Sequence, residues 1–274
     1  MQRSASPRLN AMSEDTFISH LVELRDRLLR ALIAIAIVFF CLFPWASELY
    51  DLLAAPMMQT LPQGSKMIAT GVITPFLIPV KVAAMIAFLV ALPYVLYQAW
   101  AFVAPGLYSH EKKLVLPLVV ASTVLFLLGV AFCYFFVFGV VFGFVNKIAP
   151  ASITVAPDIE QYLNFVLTMF LAFGVTFEVP IVVIILARMG IVTVEQLKNV
   201  RPYFIVGSFV VAAIVTPPDV ISQLLLAVPM CLLYELGVFL ARFLAKPKSE
   251  DDDYRLPSDA EMDRDLDRID AGRK

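Results

Sequence analysis

The chain has 274 residues, of which 60% are hydrophobic and 16% charged, and a mean hydropathy of +0.83. Soluble domains run at about 45–50% apolar and about 25% charged, so a soluble enzyme with a conventional solvated surface is excluded, as is a disordered protein. The formal net charge of −2 hides a division: residues 241–274 hold eight Lys/Arg and ten Asp/Glu, which leaves 13 of each sign for the first 240.

At about 20 apolar residues per crossing, the apolar content suffices for roughly five to seven membrane spans. The chain opens with an amphipathic segment. Phe17, Leu21, Leu24 and Leu28 form one apolar stripe at helical spacing, and His20, Glu23, Arg27 and Arg30 form a polar face. This helix is expected to run along the cytoplasmic side into the first apolar run, 28–46. The charges of the first 27 residues, and the lack of a small-residue cleavage site after them, argue against a cleavable signal peptide. In 47–71, the longest outer loop, Ser47 is expected to cap a short interfacial helix ending near Pro56.

Further apolar runs follow at 82–103, 114–145, 161–187, 203–215 and 220–241. Six helices are expected, because in lipid every backbone polar group must be satisfied within its own segment. The runs are continuous rather than alternating, which disfavours a barrel. As one straight helix, 114–145 would rise about 48 Å and should tilt. The run 203–215 would rise only about 20 Å, so the fifth and sixth helices should form a short hairpin that thins the bilayer. At its turn, Thr216 is read as the helix N-cap and Asp219 as the third helical residue, a capping-box arrangement. With the N-terminus inside, 18 of the 21 Lys/Arg fall on one side, which predicts both termini in the cytoplasm. The tail reads as a solvated, disordered extension. Cys41, Cys133 and Cys231 lie far apart in apolar runs, against a disulfide framework or zinc site.

Few residues are left that could carry chemistry. Glu23 forms either a simple i,i+4 pair with Arg27 or part of a binding face. The loop from Tyr97 to Lys113 offers Trp100, Phe102, Pro105, Leu107 and Glu111, readable as an aromatic belt with a helix-start carboxylate or as a recognition surface. Glu178 lies deep in the fourth run, where a charge costs at least about 2.5–3.5 kcal/mol on insertion scales. It is either a protonated side chain bonded across helices or a polar contact for a substrate or partner helix. Gln223 and Glu235 are further polar groups in the sixth run, and Lys81 near the outer start of the second is expected to snorkel. Neither histidine, His20 nor His110, has a triad-like partner, so an intramembrane enzyme ranks last. A proton-coupled transporter using Glu178 would need a small substrate and ideally a second membrane carboxylate and repeat symmetry, and no internal repeat is visible.

The stretch His20-Leu21-Val22-Glu23-Leu24-Arg25-Asp26-Arg27-Leu28 resembles the H-L-x-E-L-R-x-R-L signature of the TatC family, the multispanning receptor subunit of the twin-arginine protein translocase. Ala55-Pro56, the 97–113 loop, Phe177-Glu178-Val179-Pro180 and Thr216-Pro217-Pro218-Asp219 continue the likeness in order, over roughly residues 13–243. The resemblance implies an all-α integral membrane protein, a cupped bundle of six transmembrane helices in the bacterial cytoplasmic (inner) membrane. It implies a division into an N-terminal extension (1–12), a six-helix domain (13–243) and a charged tail (244–274).

It also implies a receptor with no catalytic residue, metal or cofactor. By position, Glu23 and Glu111 match the signal-peptide-binding carboxylates, with Leu24, Arg25, Phe102, Pro105 and Leu107 around them. Glu178, with Gln223, is implied as an intramembrane contact for partners, and Pro56 and Asp219 as outer-side positions needed for transport. The implied partners are twin-arginine signal peptides of folded cargo, the single-span TatA and TatB subunits, other copies of the chain and the bilayer, with no nucleic acid. The implied energy source is the proton-motive force. Arginine is always charged and pairs bidentately with carboxylates, so a twin-arginine ligand suits two separated carboxylates on one face.

Overall fold

The computed structural model describes residues 7–60, 67–103, 115–148, 157–216 and 219–244. Helix α1 (Pro7–Leu42) passes through a 3₁₀ turn at Phe43–Trp45 into α2 (Ala46–Thr60). Then come α3 (Thr74–Val103), α4 (Val115–Phe132) and α5 (Phe138–Ile148), the last two joined by a π-helical turn at Cys133–Val137. Helices α6 (Ile159–Arg188), α7 (Val194–Val215) and α8 (Val220–Leu244) complete the order. Six helical stretches are long and apolar enough to cross a membrane, as expected. Among the described residues the β pairing is one isolated parallel bridge, Ile68 to Asp158.

The helices pack in an open row: α1 on α3, α3 on α4, α4 on α6, α6 on α8 and α8 on α7. Among the described residues, no extensive contact joins α1 to α7 to close the row. Helix α6 is its axis, the most buried of the six spans, whereas the first is the most exposed. Glycines set two of its crossings. A Cβ on Gly129 of α4 would lie 2.5 Å from the Phe173 carbonyl oxygen of α6, and one on Gly237 of α8 would lie 2.9 Å from Pro180 Cα. Lipid is as apolar as leucine, so close backbone approach rather than water exclusion holds such helices together.

Several expectations change. The run 114–145 is not one straight α-helix. The π turn resets its register, so that Phe138 and Phe142 are buried while Phe135 is 81% exposed. Helix α5 then packs on α2. Helix α2 does not start at a Ser47 cap or end near Pro56; it continues from α1 and runs through Pro56 to Thr60. It is packed in, with Leu53 and Ala54 buried, and its carbonyls at Leu52 and Leu53 accept from Tyr134 Oη and Tyr162 Oη.

The last two spans are the shortest of the six, at 22 and 24 residues. Yet α7 begins at Val194, behind a capping box made by Thr193 and Gln196, well before the apolar run at 203. Its 22 residues rise about 33 Å, close to the roughly 30 Å hydrocarbon core, so helix length alone gives no reason for a thinned bilayer. Thr216 is not an N-cap. It ends α7, and its hydroxyl donates back to the Ala212 carbonyl. Asp219 is the residue that caps α8, accepting from the Ser222 backbone N–H at 2.7 Å.

Candidate functional site

At one end of the bundle, α1 lies on the last turns of α3. Arg27 donates to Glu23 through Nη2 at 2.6 Å and Nε at 2.9 Å, both to the same oxygen, Oε1. Its Nη1 reaches the buried Gln98 Oε1 on α3 at 3.4 Å. About two turns before Arg27, His20 stacks on Phe102 with ring centroids 4.4 Å apart. The i,i+4 pair of Glu23 and Arg27 is therefore formed, and it sits on a surface shared with Phe102. The apolar stripe does not face α3: Leu21, Leu24 and Leu28 are 48%, 41% and 57% exposed, while Arg27 turns inward. The expected amphipathic helix is thus oriented with its apolar side outward.

Of the remaining expected binding residues, Arg25 is exposed and paired with its neighbour Asp26 at 2.8 Å. Pro105, Leu107 and Glu111 lie outside the described residues.

Further along the bundle, Glu178 of α6 is 9% exposed. Neither carboxylate oxygen closes a hydrogen bond of full geometry among the described residues. Its polar neighbour is Ser122 of α4, whose Oγ accepts from Trp100 Nε1 of α3 at 2.9 Å. The three spans α3, α4 and α6 thus meet at one Trp–Ser–Glu array. The role of Trp100 in it was missed, because the loop position suggested a belt residue.

The opposite end carries a polar clasp. Asp158 caps α6 through the N–H groups of Glu160 (2.9 Å) and Gln161 (3.0 Å), and it accepts from Thr70 Oγ1 (2.6 Å) and N (3.2 Å). The Thr70 hydroxyl, then the Gln161 N–H, holds the Asp158 carboxyl below its ordinary value. Glu160 accepts from Thr74 Oγ1 at 2.9 Å and Lys81 Nζ at 3.3 Å, and Lys81 also reaches Asn164 Oδ1 at 3.1 Å. Lys81 therefore ties α3 to α6 rather than snorkelling unpaired. An Asp two residues before an acidic first turn is a readable N-cap signal, but the apolar run starts later and obscured it. Pro56 lies within α2 near this end. Gln223 of α8 donates to the Phe209 carbonyl of α7 at 3.3 Å. No hydrogen bond joins it to Glu178 among the described residues.

These features define a multi-pass membrane protein with polar surfaces at both ends, one buried carboxylate between them, and no cluster of metal-ligating side chains among the described residues. Residues 19–229 match the family described as Sec-independent protein translocase protein (TatC). The chain is 51% identical to the Sec-independent protein translocase protein TatC of Escherichia coli (strain K12) over 232 residues, 84% of this chain and 90% of that one. It is 50% identical to the Haemophilus influenzae protein of the same name over 242 residues, 88% of this chain and 94% of that one. Its 51% match to the Halothiobacillus neapolitanus protein spans 63% of that protein's length. A crystal structure of the twin arginine translocase receptor TatC superposes with a TM-score of 0.73 at 39% identity, covering 82% of this chain and 99% of that one. The chain belongs to the TatC family. Members are protein translocase components, not enzymes.

Proposed function

We propose that this chain is the core receptor of a twin-arginine translocase in the bacterial inner membrane. It binds the twin-arginine signal peptides of folded cargo at the end of the bundle that carries Glu23. That end faces the cytoplasm with both termini, in line with the basic-residue census. Residues 13–243 form the working body, with 1–12 and 244–274 as appendages. The observation that carries the reading is the Glu23 carboxylate on the α1–α3 surface beside Phe102, with its Oε2 lacking a hydrogen-bond partner among the described residues.

Glu23 and Glu111 each take one guanidinium of the pair. Leu24, Phe102, Pro105 and Leu107 hold the apolar residues that follow, and Arg25 borders the site. Single-span TatA and TatB helices and further copies of the chain assemble on the outward apolar faces, with Glu178 and Gln223 as their polar contacts. Pro56 and Asp219 act at the outer side. The proton-motive force drives transport.

The test is binding of a synthetic twin-arginine peptide to purified, folded protein. Glu23→Ala and Glu111→Ala should each weaken it by at least about tenfold, the loss of a charge-assisted pair. Unchanged binding in both variants overturns the reading. Crosslinkers at positions 111 and 178 should capture the peptide and a partner helix respectively.

A further inference from the structure

We infer that Arg27 is a built-in occupant of the Glu23 site, and that an incoming guanidinium displaces it toward Gln98. The inference rests on the reading that Glu23 receives an arginine.

The geometry is uneven in a telling way. Arg27 spends two donors on one oxygen of Glu23 and leaves Oε2 without a partner among the described residues. A guanidinium makes its best carboxylate pair as a fork across both oxygens, so this contact is the weaker form of the one a ligand could make. The third nitrogen, Nη1, already points at Gln98 Oε1, but at 3.4 Å that bond is barely closed. Gln98 is 5% exposed, a polar side chain in an apolar helix with its oxygen aimed at Arg27. The Arg27 side chain is itself only 23% exposed. A displaced, half-buried cation needs an acceptor, and Gln98 is in place to become it.

Exchange of this kind makes selectivity. An arginine offers two parallel donors and can take both oxygens while Arg27 moves aside. A lysine is a point charge with no fork, and it cannot match the two-donor grip that Arg27 already holds on Oε1. Arg27 therefore keeps the site neutral at rest and admits arginine ahead of lysine. The His20–Phe102 stack, about two turns before Arg27, fixes α1 against α3, so the movement is confined to the Arg27 side chain.

The experiment is a double-mutant cycle on purified full-length protein, with Glu23→Gln as reference. The probes are synthetic peptides carrying either paired arginines or paired lysines before an apolar segment. Arg27→Gln should bind the paired-arginine peptide about three- to fivefold tighter and lose most of its preference over paired lysine. Gln98→Leu should bind it about three- to fivefold more weakly, and that loss should vanish in the Arg27→Gln background. Arg27→Lys, which keeps the charge without the fork, should fall between wild type and Arg27→Gln, and it serves if the neutral variant does not fold. If Glu23→Gln weakens binding but Arg27→Gln and Arg27→Lys do not tighten it, the exchange is overturned and the receptor reading stands. If Gln98→Leu weakens binding equally in both backgrounds, Gln98 acts on the peptide or the fold, and the exchange is again overturned. If Glu23→Gln binds as well as wild type, both fall.

Discussion

Arg201 on α7 donates a 2.7 Å hydrogen bond to Oε2 of Glu235 on α8. The partners are 34 residues apart in sequence and belong to the two shortest spans. Beside them, Tyr234 Oη donates to the Leu197 carbonyl at 2.7 Å, and the Tyr234 ring stacks on Phe204 with centroids 4.0 Å apart. Three contacts thus pin one end of the α7–α8 pair. They explain how a carboxylate is tolerated in the sixth apolar run: it is neutralised by its neighbour rather than left alone in a low-dielectric setting.

Breaking that pair on one side should be worse than breaking it on both. Arg201→Met or Glu235→Met leaves a charge without its partner and should lower the melting temperature in detergent. The double variant should recover most of the loss. Both side chains are more than a third exposed (41% and 48%), so the coupling should be about 1 kcal/mol or less. Strictly additive losses in the two single variants would remove Arg201–Glu235 as a stabilising contact.

Gly129→Ala should destabilise the fold although it adds only a methyl group. The added Cβ meets the Phe173 carbonyl oxygen and the Phe177 ring, and backbone cannot swing aside as a flexible side chain can. Overpacking of this kind costs about 1–3 kcal/mol. Gly139→Ala is the control, since nothing lies within 4 Å of its added Cβ. Paired thermal melts should separate the two, with Gly139→Ala at or above wild type.

Six spans were legible because the apolar runs are continuous and the charges between them mark their ends, although the run at 203–215 shows only the apolar part of α7. Glu178 was legible as the one charge inside 161–187. The π turn at Cys133–Val137 was not, because it lies in an unbroken apolar stretch with no proline nearby and no change of period. Nor was the facing of α1. Periodicity says which residues share a face of a helix, not which face looks inward. In water the apolar face would turn to the protein, whereas beside lipid it can turn out and leave Arg27 and His20 to pack on α3. The clasp around Lys81 was hidden for a different reason. Its partners Glu160 and Asn164 are 79 and 83 residues away, and only the fold brings them together.

The Asp158 cap should give the clasp at its end of the bundle a defined acid limit. Its carboxyl is held below its ordinary value of 3.8, so the folded state prefers the ionised form. The stability this contributes is fully present above the unfolded value and is lost as pH falls through the lower, folded one. Wild type should therefore outlast Asp158→Ala at neutral pH, and the gap should close only under acid conditions, below about pH 4. Asp158→Asn keeps an acceptor for the N-cap and should show a smaller deficit, which also closes in acid because only the wild-type group titrates. Melting curves across the acid range test this; a wild-type advantage that fades between pH 5 and 7 would exclude the carboxylate as the group responsible.

Glu178 should prove a case where stability and function pull apart. Two buried oxygens without full hydrogen bonds are a cost to the fold, on the order of 1–3 kcal/mol for an unsatisfied group. A sequence under selection for stability alone would carry an apolar residue there, since Phe177 and Ile181 of the same helix are buried in apolar clusters on either side of it in sequence. Glu178→Leu should therefore insert normally and melt at a higher temperature than wild type, while export of a twin-arginine cargo falls. Glu178→Gln removes the ionisable group but keeps hydrogen-bonding capacity, so it separates two roles. If the side chain serves as a neutral polar contact for a partner helix, Glu178→Gln should retain most of the export activity. If export needs its charge, Glu178→Gln should fail as fully as Glu178→Leu. A Glu178→Leu variant that melts lower than wild type would show that Ser122 and Trp100 already satisfy the carboxylate, and that the group belongs to the fold rather than to a partner.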